Sequence, residues 1–395
     1  MTISIWTTAR RSESRRFGCS SKRHLALTLL SIASLALPRL RAAAQVAPIQ
    51  QGSAIQAYRE GLAAARAATP RGIHSAIAYW GRGVRLSHEA GDHIGESFLL
   101  SRIGEAYRSL GEADSAPAFY QRAAVAARQG GDPRRAAMAL NQLGLTHQHA
   151  GNPGAAGLAF VQALEESRTA RDRPAEAGAL NNLGELYRGV GQYDSALVYL
   201  GQASRVMHEL RDRQGEAGTL ANIALVYQAV GAPDSALALL HRALLVFRDA
   251  RSGASVRITL NNIGEIHRRL GKSDSARVYF TQALAAARQA GDQQMEGTTL
   301  NNVGLVLQRQ GRTDPALVLF RRALSLARRS GNRAGEGVAF NNIGSAFEDL
   351  SRPDSAFSYY GKALAITREV GDRPGERIIL DNIARVRRGG RRTQR

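Results

Sequence analysis

Cysteine is almost absent from this chain of 395 residues: Cys19 stands alone. A single thiol cannot close an intrachain disulfide, so no disulfide framework and no paired-cysteine metal or redox motif is available. Long hydrophobic runs are missing as well. The apolar stretch Leu25–Leu37 is 13 residues long, short of the roughly 20 that a membrane-spanning helix needs. Lysine is scarce too, with only Lys22, Lys272 and Lys362 among 53 basic residues. Catalytic signatures are also lacking: no serine elbow, phosphate loop or zinc-peptidase helix occurs. His147 and His149 lie two apart on an expected helix and point in different directions, which makes a poor metal pair. Neither an enzyme nor a cofactor is expected.

Acidic residues are the minority, and the formal net charge is +20. The ends hold most of it. Residues 1–44 contribute +7 and the last eleven +6, leaving +7 for everything between. An Arg-heavy balance of this kind fits a GC-rich coding bias at least as well as a nucleic-acid footprint. A moderate positive charge mainly confers solubility. No nucleic-acid partner is expected.

The N-terminus has its own layout. Arg10, Arg11, Arg15, Arg16, Lys22 and Arg23 precede the apolar run, and Ala42-Ala43-Ala44 follows it. Basic, apolar, then small residues is the order of a secretory signal peptide. Residues 1–44 are therefore expected to be a signal, cleaved near Ala44 or retained as an anchor, with a periplasmic or secreted product. Cys19 lies before the apolar run, so cleavage would leave no cysteine.

What the chain does have is a 40-residue period. Leu100, Leu140, Leu180, Leu220, Leu260, Leu300, Phe340 and Leu380 hold one place in eight successive units. A fixed period of this length means stacked units sharing a continuous core. Within residues 172–211, Asp172 and Pro174 read as a helix start. Leu180, Leu183, Gly184 and Tyr187 follow helical spacing. Gly191 ends the helix, and Asp194 opens a second one. Small residues recur in three columns: Gly184 with its equivalents 40 residues apart, and likewise Ala196 and Ala203. They let helix axes approach to about 8–10 Å.

At Leu180, Leu183-Gly184, Tyr187, Ala196, Leu200 and Ala203 the chain resembles the tetratricopeptide repeat family, in the longer-unit subgroup of kinesin light chains. The resemblance implies an all-α solenoid of stacked antiparallel helix pairs forming a right-handed superhelix. It also implies protein binding as the activity. The expected organisation is a degenerate first repeat over 45–93, seven units over 94–373, a closing helix over 374–388 and a disordered basic tail over 389–395, with about 17 helices in all.

On a helical wheel the arc opposite the apolar face carries two asparagine columns. One holds Asn141, Asn181, Asn261, Asn301 and Asn341. The other holds Asn182, Asn222, Asn262, Asn302, Asn342 and Asn382. Asparagine is a poor helix former, but its amide offers both a donor and an acceptor and can match an extended peptide backbone. In the family resembled, this arc lines the concave groove. The columns are therefore expected to hold a peptide or partner protein, and replacing Asn262 and Asn302 by Ala is expected to spare the fold. The competing possibility is bonding within the solenoid. Glu185 with Arg188, and Glu265 with Arg268, add expected ion pairs at i, i+3, alternating with Leu/Gln units. Two roles follow: a scaffold that binds in its groove, or a peptide sensor that relays binding through a change of curvature.

Overall fold

The computed structural model describes residues 49–50, 52–112 and 114–392. The signal segment expected over 1–44 lies outside the described residues. The described chain holds 17 helices and no strand. The first eight are α1 (Gly52–Ala65), α2 (Pro70–Glu89), α3 (His93–Ser109), α4 (Ala116–Gln129), α5 (Pro133–His149), α6 (Pro153–Thr169), α7 (Arg173–Gly189) and α8 (Tyr193–Glu209). Next come α9 (Arg213–Ala229), α10 (Pro233–Asp249), α11 (Gly253–Arg269), α12 (Ser273–Gln289) and α13 (Gln293–Arg309). The last four are α14 (Thr313–Arg329), α15 (Arg333–Asp349), α16 (Pro353–Glu369) and α17 (Arg373–Arg392). No described helix is long and apolar enough to cross a membrane.

The period has a simple construction. Helices of 17 residues alternate with three-residue turns, as in α7, α8 and the turns after them. Each turn needs one left-handed residue. Gly191 takes φ 78° after α7, and Arg211 takes φ 55° after α8. The side chain of Asp172 accepts from the Ala175 N–H to open α7, and Asp212 accepts from Gly215 to open α9. Stop, turn and start signals thus recur every 20 residues.

The glycine column has a steric cause. A Cβ on Gly144 would lie 2.4 Å from the ring of Phe160, and one on Gly184 would lie 2.4 Å from Leu200 Cγ. Gly304 faces Phe320 in the same way. Each glycine of this column receives the large side chain that the second helix buries completely. His267 takes the place of Tyr187 and stacks on Tyr279 as Tyr187 stacks on Tyr199. A histidine in this column thus takes a packing role.

The chain divides into two compact units, one ending at Ile263 and the other beginning at Gly264. In the first, α3, α5 and α7 each touch the next odd-numbered helix, as far as α9; in the second, α13 and α15 do so, as far as α17. No pair of described even-numbered helices is in comparable contact. Within each unit, then, the odd-numbered helices lie on the inner side of the bend.

The first helix ends at Ala65, and Ala68 turns left-handed (φ 50°) ahead of Thr69, which caps α2. One boundary differs from expectation. The closing helix runs to Arg392, so the tail expected to be disordered from Gly389 is helical through Arg392. Two adjacent glycines weaken a helix but do not remove its hydrogen-bond donors as proline would.

Candidate functional site

The asparagine columns form a bonded ladder. The second-column amide of one odd-numbered helix donates to the first-column oxygen of the odd-numbered helix before it. Asn182 Nδ2 donates to Asn141 Oδ1 at 3.3 Å, and Asn222 to Asn181 at 3.0 Å. In the second unit, Asn342 donates to Asn301 at 3.4 Å and Asn382 to Asn341 at 3.0 Å. The spacing of 41 residues follows from the period plus one column.

Burial corrects the wheel. Asn222, Asn261, Asn262, Asn301, Asn302 and Asn342 are buried, while Asn141, Asn181, Asn182 and Asn341 are half-buried. A wheel treats one helix alone. Here the adjacent odd-numbered helices close over the second column, so those residues lie in the seam between helices and not on an open groove floor. Asn262 and Asn302, whose replacement is expected to spare the fold, are therefore buried in the seam and not exposed opposite the apolar face.

The ladder breaks at one rung. In the register of the other seams, Asn262 would donate to position 221, which is Ala221. Asn262 is fully buried, and neither Nδ2 nor Oδ1 has a hydrogen-bond partner. On α9, Asn222 Oδ1 and both amide atoms of Gln228 are likewise buried and unpartnered. These five unsatisfied polar atoms lie on α9 and α11, in the unit that ends at Ile263. Buried polar groups are satisfied in the great majority of cases, and each unmade bond costs about 1–3 kcal/mol.

The expected ion pairs fare unequally. Arg188 donates to both Glu185 oxygens, at 3.3 and 3.1 Å. Arg268 grips Glu265 through two bonds of 2.7 Å, and Arg269 adds a third at 2.8 Å. Glu265 is fully buried. Burial pushes its carboxyl pKa up, but the bonds and charges of Arg268 and Arg269 outweigh burial and hold it below the usual carboxylate value. Glu105 occupies the same column with the opposite result. Arg108 turns away to Gln142, a single bond from Arg102 remains, and burial raises the Glu105 pKa.

One constellation escaped the sequence reading. A carboxylate in the first turns of an odd-numbered helix meets a basic residue eight positions earlier, at the end of the preceding helix. Arg168–Glu176, Arg288–Glu296, Arg328–Glu336 and Arg368–Glu376 are four cases, and His88–Glu96 and His208–Glu216 are two more. The acid column and its basic partner were both visible at 40-residue intervals. Pairing them required the turn that folds one helix end over the next start. A separate open cleft of about 610 Å³ lies between α7 and α8 and is lined by Arg173, Glu176, Val198, Arg205 and Glu209 among others.

Helix pairs at a fixed 40-residue period, with first helices on the inner side and glycines seating the second-helix aromatics, define a helical-repeat protein. The tetratricopeptide repeat model matches residues 134–209, 215–289, 255–329 and 295–369, more than half of the chain. The chain belongs to the tetratricopeptide repeat family. Its fold is similar to aspartyl phosphate phosphatase F from Bacillus subtilis, with TM-score 0.59 and 15% identity over 80% of this chain and 84% of that one. It is also similar to the apo form of the quorum sensor NprR from B. thuringiensis, with TM-score 0.58 and 15% identity over 80% and 88% of the two chains. A third similar structure is the Rap conjugation gene regulator of the plasmid pLS20 in complex with the Phr* peptide. There the TM-score is 0.55 and the identity 13%, over 72% of this chain and 77% of that one. At these identities the likeness establishes the fold alone. No curated protein matches the chain.

Proposed function

We propose that this protein is a non-catalytic scaffold that binds an extended peptide, or a peptide-like segment of a partner protein, along its first-helix face. The single observation that carries the reading is the broken rung. Asn262, Gln228 and Asn222 present donors and acceptors that no protein atom satisfies. These atoms are buried, so the peptide would enter by parting the seam there; its extended backbone supplies both kinds of group at each residue and would satisfy them without a particular side chain. The other rungs, including Asn141, Asn181, Asn182, Asn301 and Asn341, hold the seams in register on either side.

The test is a screen of a randomised peptide library against the full chain, followed by anisotropy titrations of the selected peptides. Asn262→Ala and Gln228→Ala should each weaken binding about fivefold, the equivalent of about 1 kcal/mol per lost bond. Peptides that bind both variants as well as the parent chain would refute the seat.

A sensing role is the second reading. One similar fold is that of a quorum sensor, and another holds a peptide. Compaction in small-angle scattering on peptide binding would favour it; an unchanged profile would favour a rigid scaffold. Export belongs to the same proposal, supported by the basic, apolar and small-residue order of residues 1–44. Intact-mass measurement of the protein from an envelope fraction should find a chain that starts at Gln45. A chain that starts at Met1 and is confined to the cytoplasm would refute export.

A further inference from the structure

The acids at the repeat junctions differ in what holds them. Glu176 is held by Arg168 from the preceding helix, at 2.9 Å, and by Arg173 from its own helix. Glu336 is held by Arg328 and Arg333, at 3.4 and 3.1 Å. At Glu96, the corresponding acid of an earlier repeat, imidazoles take both places. His88 Nδ1 lies 3.0 Å from Glu96 Oε2, and His93 Nδ1 lies 3.5 Å from the same oxygen. His88 is in the last turn of α2 and His93 is the first residue of α3, so the short turn through Gly91 brings them together. All three ligand atoms lie within 4.8 Å of one another.

The exchange of arginine for histidine changes the chemistry. A guanidinium is always charged and offers no lone pair, whereas a neutral imidazole offers one. Two such exchanges around one carboxylate turn a fixed-charge clamp into a set of three ligands. We propose that His88, His93 and Glu96 bind a divalent transition metal of the zinc class, with a further coordination position open to water.

Geometry and donor chemistry agree. In a tetrahedral zinc site with bonds of about 2.0–2.1 Å, ligand atoms lie about 3.4 Å apart. The separations of 3.0 and 3.5 Å bracket that value. The His88 ring is 66% exposed, while Glu96 is only 10% exposed. Two nitrogens and one oxygen suit zinc, copper or nickel better than calcium or magnesium, which prefer all-oxygen shells. Asp92 is not part of the set: its Oδ1 accepts from Gly95 N at 2.8 Å and its Oδ2 from Gln50 N at 2.9 Å. A bound ion would tie α2 to α3 and stabilise this junction in proportion to its occupancy.

The experiment is a calorimetric titration of the full chain with Zn²⁺, paired with Co²⁺ absorption as a reporter of tetrahedral coordination. One Zn²⁺ per chain is expected, with an intense visible Co²⁺ band. The H88R/H93R variant installs the pair already used at Glu176, so it should fold and lose the site. His93→Gln removes one ligand and should weaken Zn²⁺ binding by more than the roughly 10–100-fold typical of losing an outer-shell partner. Absence of Zn²⁺ binding in the parent chain would overturn the proposal. So would unchanged stoichiometry and affinity in H88R/H93R. If that double variant fails to fold, unchanged affinity in His93→Gln overturns it alone.

Discussion

Two asparagines in one column should respond to alanine with opposite signs. Asn222 donates to Asn181 Oδ1 at 3.0 Å across the α7–α9 seam. Asn222→Ala removes that bond, at a cost of about 1 kcal/mol, and leaves the Asn181 oxygen without its donor. Asn181 is half-buried and can be rehydrated, so the added penalty falls near the lower end of about 1–3 kcal/mol. Alanine returns several tenths of a kcal/mol in helix propensity and also removes the unpartnered Asn222 Oδ1. The net expectation is destabilisation by about 1 kcal/mol. Asn262 sits 40 residues on, fully buried, with neither amide atom partnered. Asn262→Ala breaks no protein bond, removes two desolvated polar atoms and gains the same propensity. It should be neutral or stabilise by up to about 1 kcal/mol. Guanidinium titration followed by circular dichroism, with both variants measured beside the parent chain, reads the difference. Equal destabilisation by the two substitutions would refute the broken-rung argument, because it would mean that Asn262 is held as firmly as Asn222.

The glycines offer a second contrast within α7. Gly184→Ala places a Cβ 2.4 Å from Leu200 Cγ and should cost about 1–3 kcal/mol through overpacking, whereas Gly178→Ala meets nothing within 4 Å and should stabilise by up to about 1 kcal/mol in the same melt. Arg211→Gly should raise stability, because Arg211 holds a left-handed φ of 55° that costs an ordinary residue about 1–2 kcal/mol; an unchanged melting temperature would count against strain at this turn. Glu265→Gln sacrifices at least one charge-assisted bond, a loss of about 1.5–3 kcal/mol measurable at pH 7. The folded pKa of Glu265 is depressed below the reference 4.5. Its contribution is therefore present above that reference and is lost as pH falls through the folded value. The parent chain should lose more stability than Glu265→Gln in melts taken from pH 5 downward.

The repeat, the helix pairs and the turn chemistry were written in the sequence because they are local and periodic. Asp172, Gly191 and Leu180 each act within one turn of helix, and a 40-residue recurrence multiplies the signal until no other fold fits. The steric need for Gly184 was also legible, although its occupant, Leu200, became specific only in the folded pair. Three decisions belonged to the tertiary structure alone. A wheel placed the asparagines on an open arc, but the next first helix covers that arc, and so Asn222 became a rung where a groove contact was expected. The column of acids found its basic partners only once a three-residue turn had folded Arg168 over Glu176. The worth of each ion pair was likewise set by surroundings. Glu105 and Glu265 share a column, yet one is left with a single arginine bond and the other is gripped by two arginines in complete burial. Residue type fixes which groups can bond. Whether a buried amide finds a partner depends on what the neighbouring helix carries 41 residues away, and at Asn262 that residue is Ala221.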